Sequence, residues 1–173
     1  MHTSNPGKYS PNVLAVLSSL MENELPFEVR EFSTPAHQAS QAAALVNCNL
    51  GAIVKSLVFE NTLNRKLLLA LASGKNRVDL IKLSALAGSP IKTAHPKTVL
   101  AKTGYPVGAV PPWGLQGIHQ TMVDEDLMHF VYIWASAGAV DILMKVTPSA
   151  LIKLTAGQVE NIKQKETSCK ENV

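Results

Sequence analysis

The residue that most invites a chemical reading is Lys55, set in the run Ile53-Val-Lys-Ser-Leu-Val-Phe59. Its apolar neighbours make the strand read as buried on both faces. An ammonium there must either reach water along its stem or face a cavity that holds an anion. The alternative is a strand-edge lysine whose stem packs while its head stays solvated. A second candidate is the loop Gly104-Tyr-Pro-Val-Gly-Ala-Val-Pro-Pro-Trp-Gly114. Glycine permits positive φ and close approach of a ligand, and proline stiffens the chain, so backbone N–H groups could be held toward a carbonyl or oxyanion. The same composition also makes a structural wide turn. The third is Asp141 in Val140-Asp-Ile-Leu-Met144. A carboxylate among such neighbours takes a cation such as Lys55 or a ligand amine as partner, unless strand alternation turns it outward. Ser73-Gly74 and Arg77-Val-Asp79 form a polar strand-to-helix turn in which Asp79 reads as a helix cap.

The usual catalytic signatures are missing. There is no Gly-x-Ser-x-Gly elbow, phosphate loop, dinucleotide fingerprint or His-Glu-x-x-His. The five histidines are scattered, and Cys48 and Cys169 have no metal-ligand spacing, so neither a metal nor a cofactor is expected. Composition fits a folded domain: of 173 residues 46% are hydrophobic and 17% charged, and mean hydropathy is +0.10. The net charge of +3 permits phosphate contacts without the dense basic stripe of a DNA binder. Aromatics at 5% are too few for a base-stacking platform, so any nucleic acid is expected to be held by its backbone or one terminal nucleotide. No apolar run approaches a bilayer span and the first residues do not read as a signal peptide, so a cytoplasmic protein without membrane contact is expected.

The elements that must position these residues follow from periodicity and punctuation. Ser10-Pro11, Thr34-Pro35, His95-Pro96 and Thr147-Pro148 read as helix starts, predicting helices to about Glu24, from Ala36 to Val46, to Lys102 and to Leu154. Asp79 to Leu86 also has helical spacing. Strands are predicted at Phe27–Phe32, Ile53–Phe59, Lys66–Ser73, Ile91–Ala94, Thr121–Val123, Val131–Trp134 and Val140–Val146, the second and third forming a buried hairpin. Residues 1–9 read as an N-terminal tail, 10–160 as one domain and 161–173 as a polar C-terminal tail. Strands in hairpin-like runs with irregular helices give an α+β class.

In the order Ile53-Val-Lys-Ser-Leu-Val-Phe, Ala72-Ser-Gly, Arg77-Val-Asp-Leu, Lys102-Thr-Gly-Tyr-Pro-Val-Gly-Ala-Val-Pro-Pro-Trp-Gly and Val123-Asp-Glu, the sequence resembles the YbaK/EbsC family. These proteins are free-standing relatives of the editing insertion domain of bacterial prolyl-tRNA synthetase. The resemblance spans about Pro11 to Leu154. It implies a mixed β-sheet or barrel core flanked by helices, and hydrolysis of the ester that joins a wrong, small amino acid (alanine, serine, cysteine or threonine) to a tRNA. It matches Lys55 to the family's essential lysine and Gly108 to Pro112 to its Gly-x-x-x-Pro loop. Lys55, Gly108 and Ala109 are thus the expected catalytic residues, and Phe32, Thr34, His37, Ser56, Ser73, Gly74, Pro112 and Asp141 the expected substrate-binding ones. The expected partners are the aminoacyl-tRNA acceptor end and an aminoacyl-tRNA synthetase, with Lys75, Lys82, Lys92, Lys97 and Lys102 around the pocket mouth. The competing expectation is a non-catalytic module that binds an aminoacyl end, a nucleotide or a synthetase.

Overall fold

A computed structural model describes residues 8–165 of the chain; Cys169 and most of the expected tails lie outside them. Helix α1 (Pro11–Glu22) starts where Ser10 accepts a hydrogen bond from the Val13 N–H and Pro11 presets the first turn. It buries Val13, Val16, Leu17 and Leu20, each contributing about 1.5–3 kcal/mol. The same Ser/Thr/His-Pro start serves α4 (Pro96–Thr103), capped by His95, and α5 (Pro148–Thr155), capped by Thr147. Asp79 caps α3 (Leu80–Leu86) through the Ile81 and Lys82 N–H groups, as expected. Helix α2 (Ala39–Val46) begins three residues later than Thr34-Pro35 predicts: Gln38 and Gln41 form the capping pair, while Ala36 donates its N–H to the Val140 carbonyl.

The strands are β1 (Glu28–Glu31), β2 (Val54–Asn61), β3 (Leu67–Ser73), β4 (Ile91–Thr93), β5 (Ile118–Asp124), β6 (Ile133–Ala139), β7 (Ile142–Val146) and β8 (Gln158–Glu160). They form a three-stranded sheet, β1-β7-β6, and a five-stranded mixed sheet, β4-β2-β3-β5-β8, joined by a bridge between Ile53 and Trp134. The α+β class holds, as two bridged sheets. The β2–β3 hairpin pairs Val54 with Ser73 through to Glu60 with Leu67.

β8 is absent from the sequence reading, and β5, β6 and β7 depart from it for reasons of packing. β6 starts at Ile133 because Val131 and Tyr132 are exposed. It then runs through Ala135-Ser-Ala-Gly-Ala139, whose small residues carry little strand propensity but let α1 approach: a Cβ on Gly138 would lie 3.4 Å from the Asn12 carbonyl oxygen. Val140 and Asp141 form the turn between β6 and β7, so Asp141 is not on a strand. β5 begins at Ile118, where polar His119 and Gln120 hide it, and its parallel pairing with β3 and β8 defines it. Packing also continues past Glu160: Ile162 is fully buried, Lys163 bridges Val78, and Gln164 donates its N–H to the Arg77 carbonyl.

Candidate active site

β2 pairs with β3 along Val54–Glu60, but with β4 only from Phe59 to Asn61. Half of its outer edge is therefore open, and Lys55 stands beside that opening. Its Nζ donates to the Gly74 carbonyl at 3.1 Å and to the Asn76 carbonyl. Gly74 is required there because a Cβ would meet the Leu50 carbonyl oxygen at 2.2 Å. Burial pulls the Lys55 pKa below its ordinary 10.5; the Asp124 carboxylate behind it pushes back, and the Arg77 guanidinium adds to the fall.

Behind Lys55 lies a saturated polar network. Asp124 is fully buried and accepts from the Ser73 N–H (3.0 Å), Asn76 Nδ2 (2.7 Å) and the Asp126 N–H (3.1 Å). Asp126 accepts from Asn76 (2.9 Å) and Lys163 (2.6 Å), which hold its carboxyl at about 2. These groups fix the two carbonyls that grip Lys55.

In front lies a cavity of about 500 Å³ between α2, the start of β2, the 107–110 loop and β6. Lys55, Ser56, Gly74, His37 and Gly108 line it together, with Ala36, Ala39, Ala42, Ala135, Trp134 and Leu143 as apolar walls. Gly108 has φ +92, a conformation that favours glycine, and no acceptor among the described residues takes its N–H. A second cavity of about 420 Å³ shares Lys55, Ser56, Leu57, Val107 and Val110 with the first. Ser56 Oγ is buried without a hydrogen-bond partner.

The structure thus gathers Lys55, Gly108, Ser56, Gly74 and His37, and separates the other expected residues. Ala109 spends its N–H on the Pro106 carbonyl at 3.0 Å and is buried, so that amide is not free to meet a substrate. Ser73 is fully buried, with Oγ donating to the Gly51 carbonyl and its N–H to Asp124: it builds the wall and does not line it. Pro112 is buried in the loop's far half and Thr34 is exposed; neither lines a cavity. Phe32 packs beside Trp134 and Leu143 behind the wall. Asp141 sits in the β6–β7 turn, where its carbonyl accepts the Phe32 N–H, and no carboxylate lines either cavity. Four of the expected mouth lysines are engaged elsewhere: Lys75 with Asp126, Lys82 with Asn161, Lys92 with Glu60 and Lys102 with the Arg65 carbonyl.

Sequence reasoning missed Ser136, Trp134 and Asn76. Ser136 Oγ lies 3.2 Å from both the Ala109 and Ala139 carbonyl oxygens and accepts the Gly138 N–H, tying the glycine loop to β6. A lone hydroxyl in an alanine run was the available signal. Trp134 is 4% exposed with the Arg30 guanidinium over its ring, 4.9 Å from the centroid. Asn76 carried no signal, because its role depends on meeting Asp124 and Asp126 across about fifty residues.

Comparison with known proteins places this geometry. EbsC of Enterococcus faecalis, provisionally named a Cys-tRNA(Pro)/Cys-tRNA(Cys) deacylase, is 29% identical over 150 residues, 84% of this chain and 90% of that protein. A proline–tRNA ligase of Nitratidesulfovibrio vulgaris is 32% identical over 99 residues, 56% of this chain and 17% of the ligase. A crystal structure provisionally described as a trans-editing enzyme for prolyl-tRNA synthetase superposes with a TM-score of 0.82 at 36% identity, covering 91% of this chain and all of that one. The model of the aminoacyl-tRNA editing domain matches residues 33–154, most of the chain and both sides of the cleft. The chain belongs to the aminoacyl-tRNA editing domain family, among its YbaK/EbsC-like members.

Proposed function

We propose that the protein is a trans-editing deacylase that hydrolyses the ester of a mischarged tRNA carrying a small non-cognate amino acid: alanine, serine, cysteine or threonine. The observation that carries this is the position of Lys55. Two backbone carbonyls grip its ammonium from behind, while it faces a cavity shared with the free Gly108 N–H. An aminoacyl ester is already activated, so its hydrolysis needs positioned water and stabilisation of the developing oxyanion, not a side-chain nucleophile. In this reading Lys55 anchors the nucleotide end by charge and Gly108 N–H meets the ester carbonyl. Ser56, Gly74 and His37 bound the substrate. The alanine-rich wall supports a small side chain, and the provisional name of EbsC supports cysteine among the candidates. The α-amino group, with no carboxylate to meet, is left to carbonyl oxygens on the open β2 edge.

The kinship with proline–tRNA ligases supports a synthetase as partner for choosing the tRNA. The test is release of amino acid from a panel of tRNAs mischarged with the four candidates, at micromolar enzyme. Release above the spontaneous rate for at least one is expected. Binding without release for all four would establish the non-catalytic module instead.

A further inference from the structure

The loop that carries Gly108 is held at both ends by one helix. Tyr105 and Trp113 are buried, and each gives its one polar hydrogen to a backbone carbonyl of α1: Tyr105 Oη donates to Asn12 at 3.1 Å and Trp113 Nε1 to Val16 at 3.0 Å. Asn12 and Val16 are four residues apart, so their carbonyls lie on one face of the helix, roughly 6 Å apart along its axis. Each carbonyl has a second lone pair to offer beyond its bond within the helix. Asn12 Nδ2 also donates to the Gly104 carbonyl, at 3.4 Å.

Between these anchors the loop changes character. Residues 106–108 are exposed, whereas residues 109–113 are buried. The Ala109 N–H closes a turn on the Pro106 carbonyl at 3.0 Å, and Ser136 Oγ donates to the Ala109 carbonyl at 3.2 Å. Pro106-Val-Gly108 is therefore a short tip carried between fixed points, and Gly108 lines the first cavity. Apolar packing is non-directional and leaves a loop free to slide along the helix beneath it. Two directional bonds at a fixed spacing set its place.

We propose that α1 is a clamp that sets the position of the Gly108 N–H, with Tyr105 and Trp113 as positioning residues for ester hydrolysis. Neither side chain lines a cavity, so both act through the loop and not on the substrate. A donor to a developing oxyanion works only within about 0.5 Å of its station. Loosening either anchor therefore costs the chemical step, while substrate binding, which falls to other groups, is nearly unchanged. This rests on the deacylase reading and names what holds its oxyanion donor in place.

Tyr105→Phe removes one oxygen and keeps the ring, and Trp113→Phe removes the other donor. On a mischarged tRNA, Tyr105→Phe should lower kcat roughly fivefold with KM within about twofold, and Trp113→Phe should repeat the pattern. Amide hydrogen exchange reads the clamp without turnover. Ala109, whose N–H closes the turn around Gly108, should exchange roughly tenfold faster in Tyr105→Phe, while Leu69 and Leu71 in the middle of β3 change less. An unchanged kcat in both variants, or equal acceleration of Ala109 and β3, would reduce the two bonds to contacts that only stabilise the fold and overturn the clamp. The two readings fail separately. A protein that loosens locally at Ala109 yet deacylates nothing contradicts only the deacylase. One that deacylates with a kcat indifferent to both substitutions contradicts only the clamp.

Discussion

The two sides of Lys55 are built on opposite terms. Behind it Asp124, Asn76, Asp126 and Lys163 satisfy one another at 2.6–3.1 Å. In front, the Gly108 N–H and Ser56 Oγ have no partner among the described residues. Gly108 is exposed, so its N–H is open to water or to a ligand, whereas the carboxylates behind Lys55 are buried and already hydrogen-bonded. In the proposed reading the rear stabilises the fold and the front meets the substrate, and single substitutions should separate the two.

The largest effect is expected from Lys55→Ala, which removes the charge in front. Deacylation should fall roughly 30- to 1000-fold, equivalent to about 2–4 kcal/mol of transition-state stabilisation. Lys55→Arg should recover only part of it, since a planar fork does not suit two carbonyls that grip a point charge. Steady-state rates on a mischarged tRNA check both. Next is Gly108→Ala. Space is adequate, with Val140 Cγ1 3.7 Å from the added Cβ, but φ +92 is strained for alanine. The loop should shift, lowering activity roughly tenfold and unfolding stability by about 1–2 kcal/mol.

A smaller effect belongs to the rear and appears only in acid. Asn76 and Lys163 hold Asp126 at about 2, below its ordinary 3.8. A depressed folded-state pKa stabilises fully above the unfolded value and is lost as pH falls toward the folded one. The unfolding midpoint should therefore decline between about pH 4 and 2, and Asp126→Asn should flatten that decline. The smallest effect is expected from His37→Ala at the exposed rim: a change in kcat/KM within about threefold. A hundredfold loss would make His37 the base that activates water and add it to the unsatisfied front.

Lys55 and the glycine loop stand out in the sequence because each contradicts its surroundings, a charge in an apolar run and prolines among glycines, and the fold brings Lys55 and Gly108 to one cavity. The hairpin and four helix starts were legible because Ser10, Asp79, His95 and Thr147 cap locally. That the Ser73 and Ala109 N–H groups are taken up inside the protein was not legible, because a polar or small residue at a turn looks the same whether its N–H faces a ligand or a neighbouring acceptor. Asp141 was misplaced because alternation cannot distinguish a strand residue from the turn that follows β6. The rear network was invisible because Asp124 and Asn76 meet only when β3 and β5 pair.

The most direct test sets Lys55→Ala beside Asp124→Asn, with deacylation of a mischarged tRNA and the unfolding free energy measured on both at low temperature. Lys55→Ala should fold as stably as wild type, within about 0.5 kcal/mol, and be nearly inactive. Asp124→Asn turns an amide toward donors that had a carboxylate, so it should lose about 2–4 kcal/mol of stability. While folded, it should keep activity within roughly tenfold. Near wild-type turnover in Lys55→Ala, or an unchanged stability in Asp124→Asn, would contradict the division between a structural rear and a functional front.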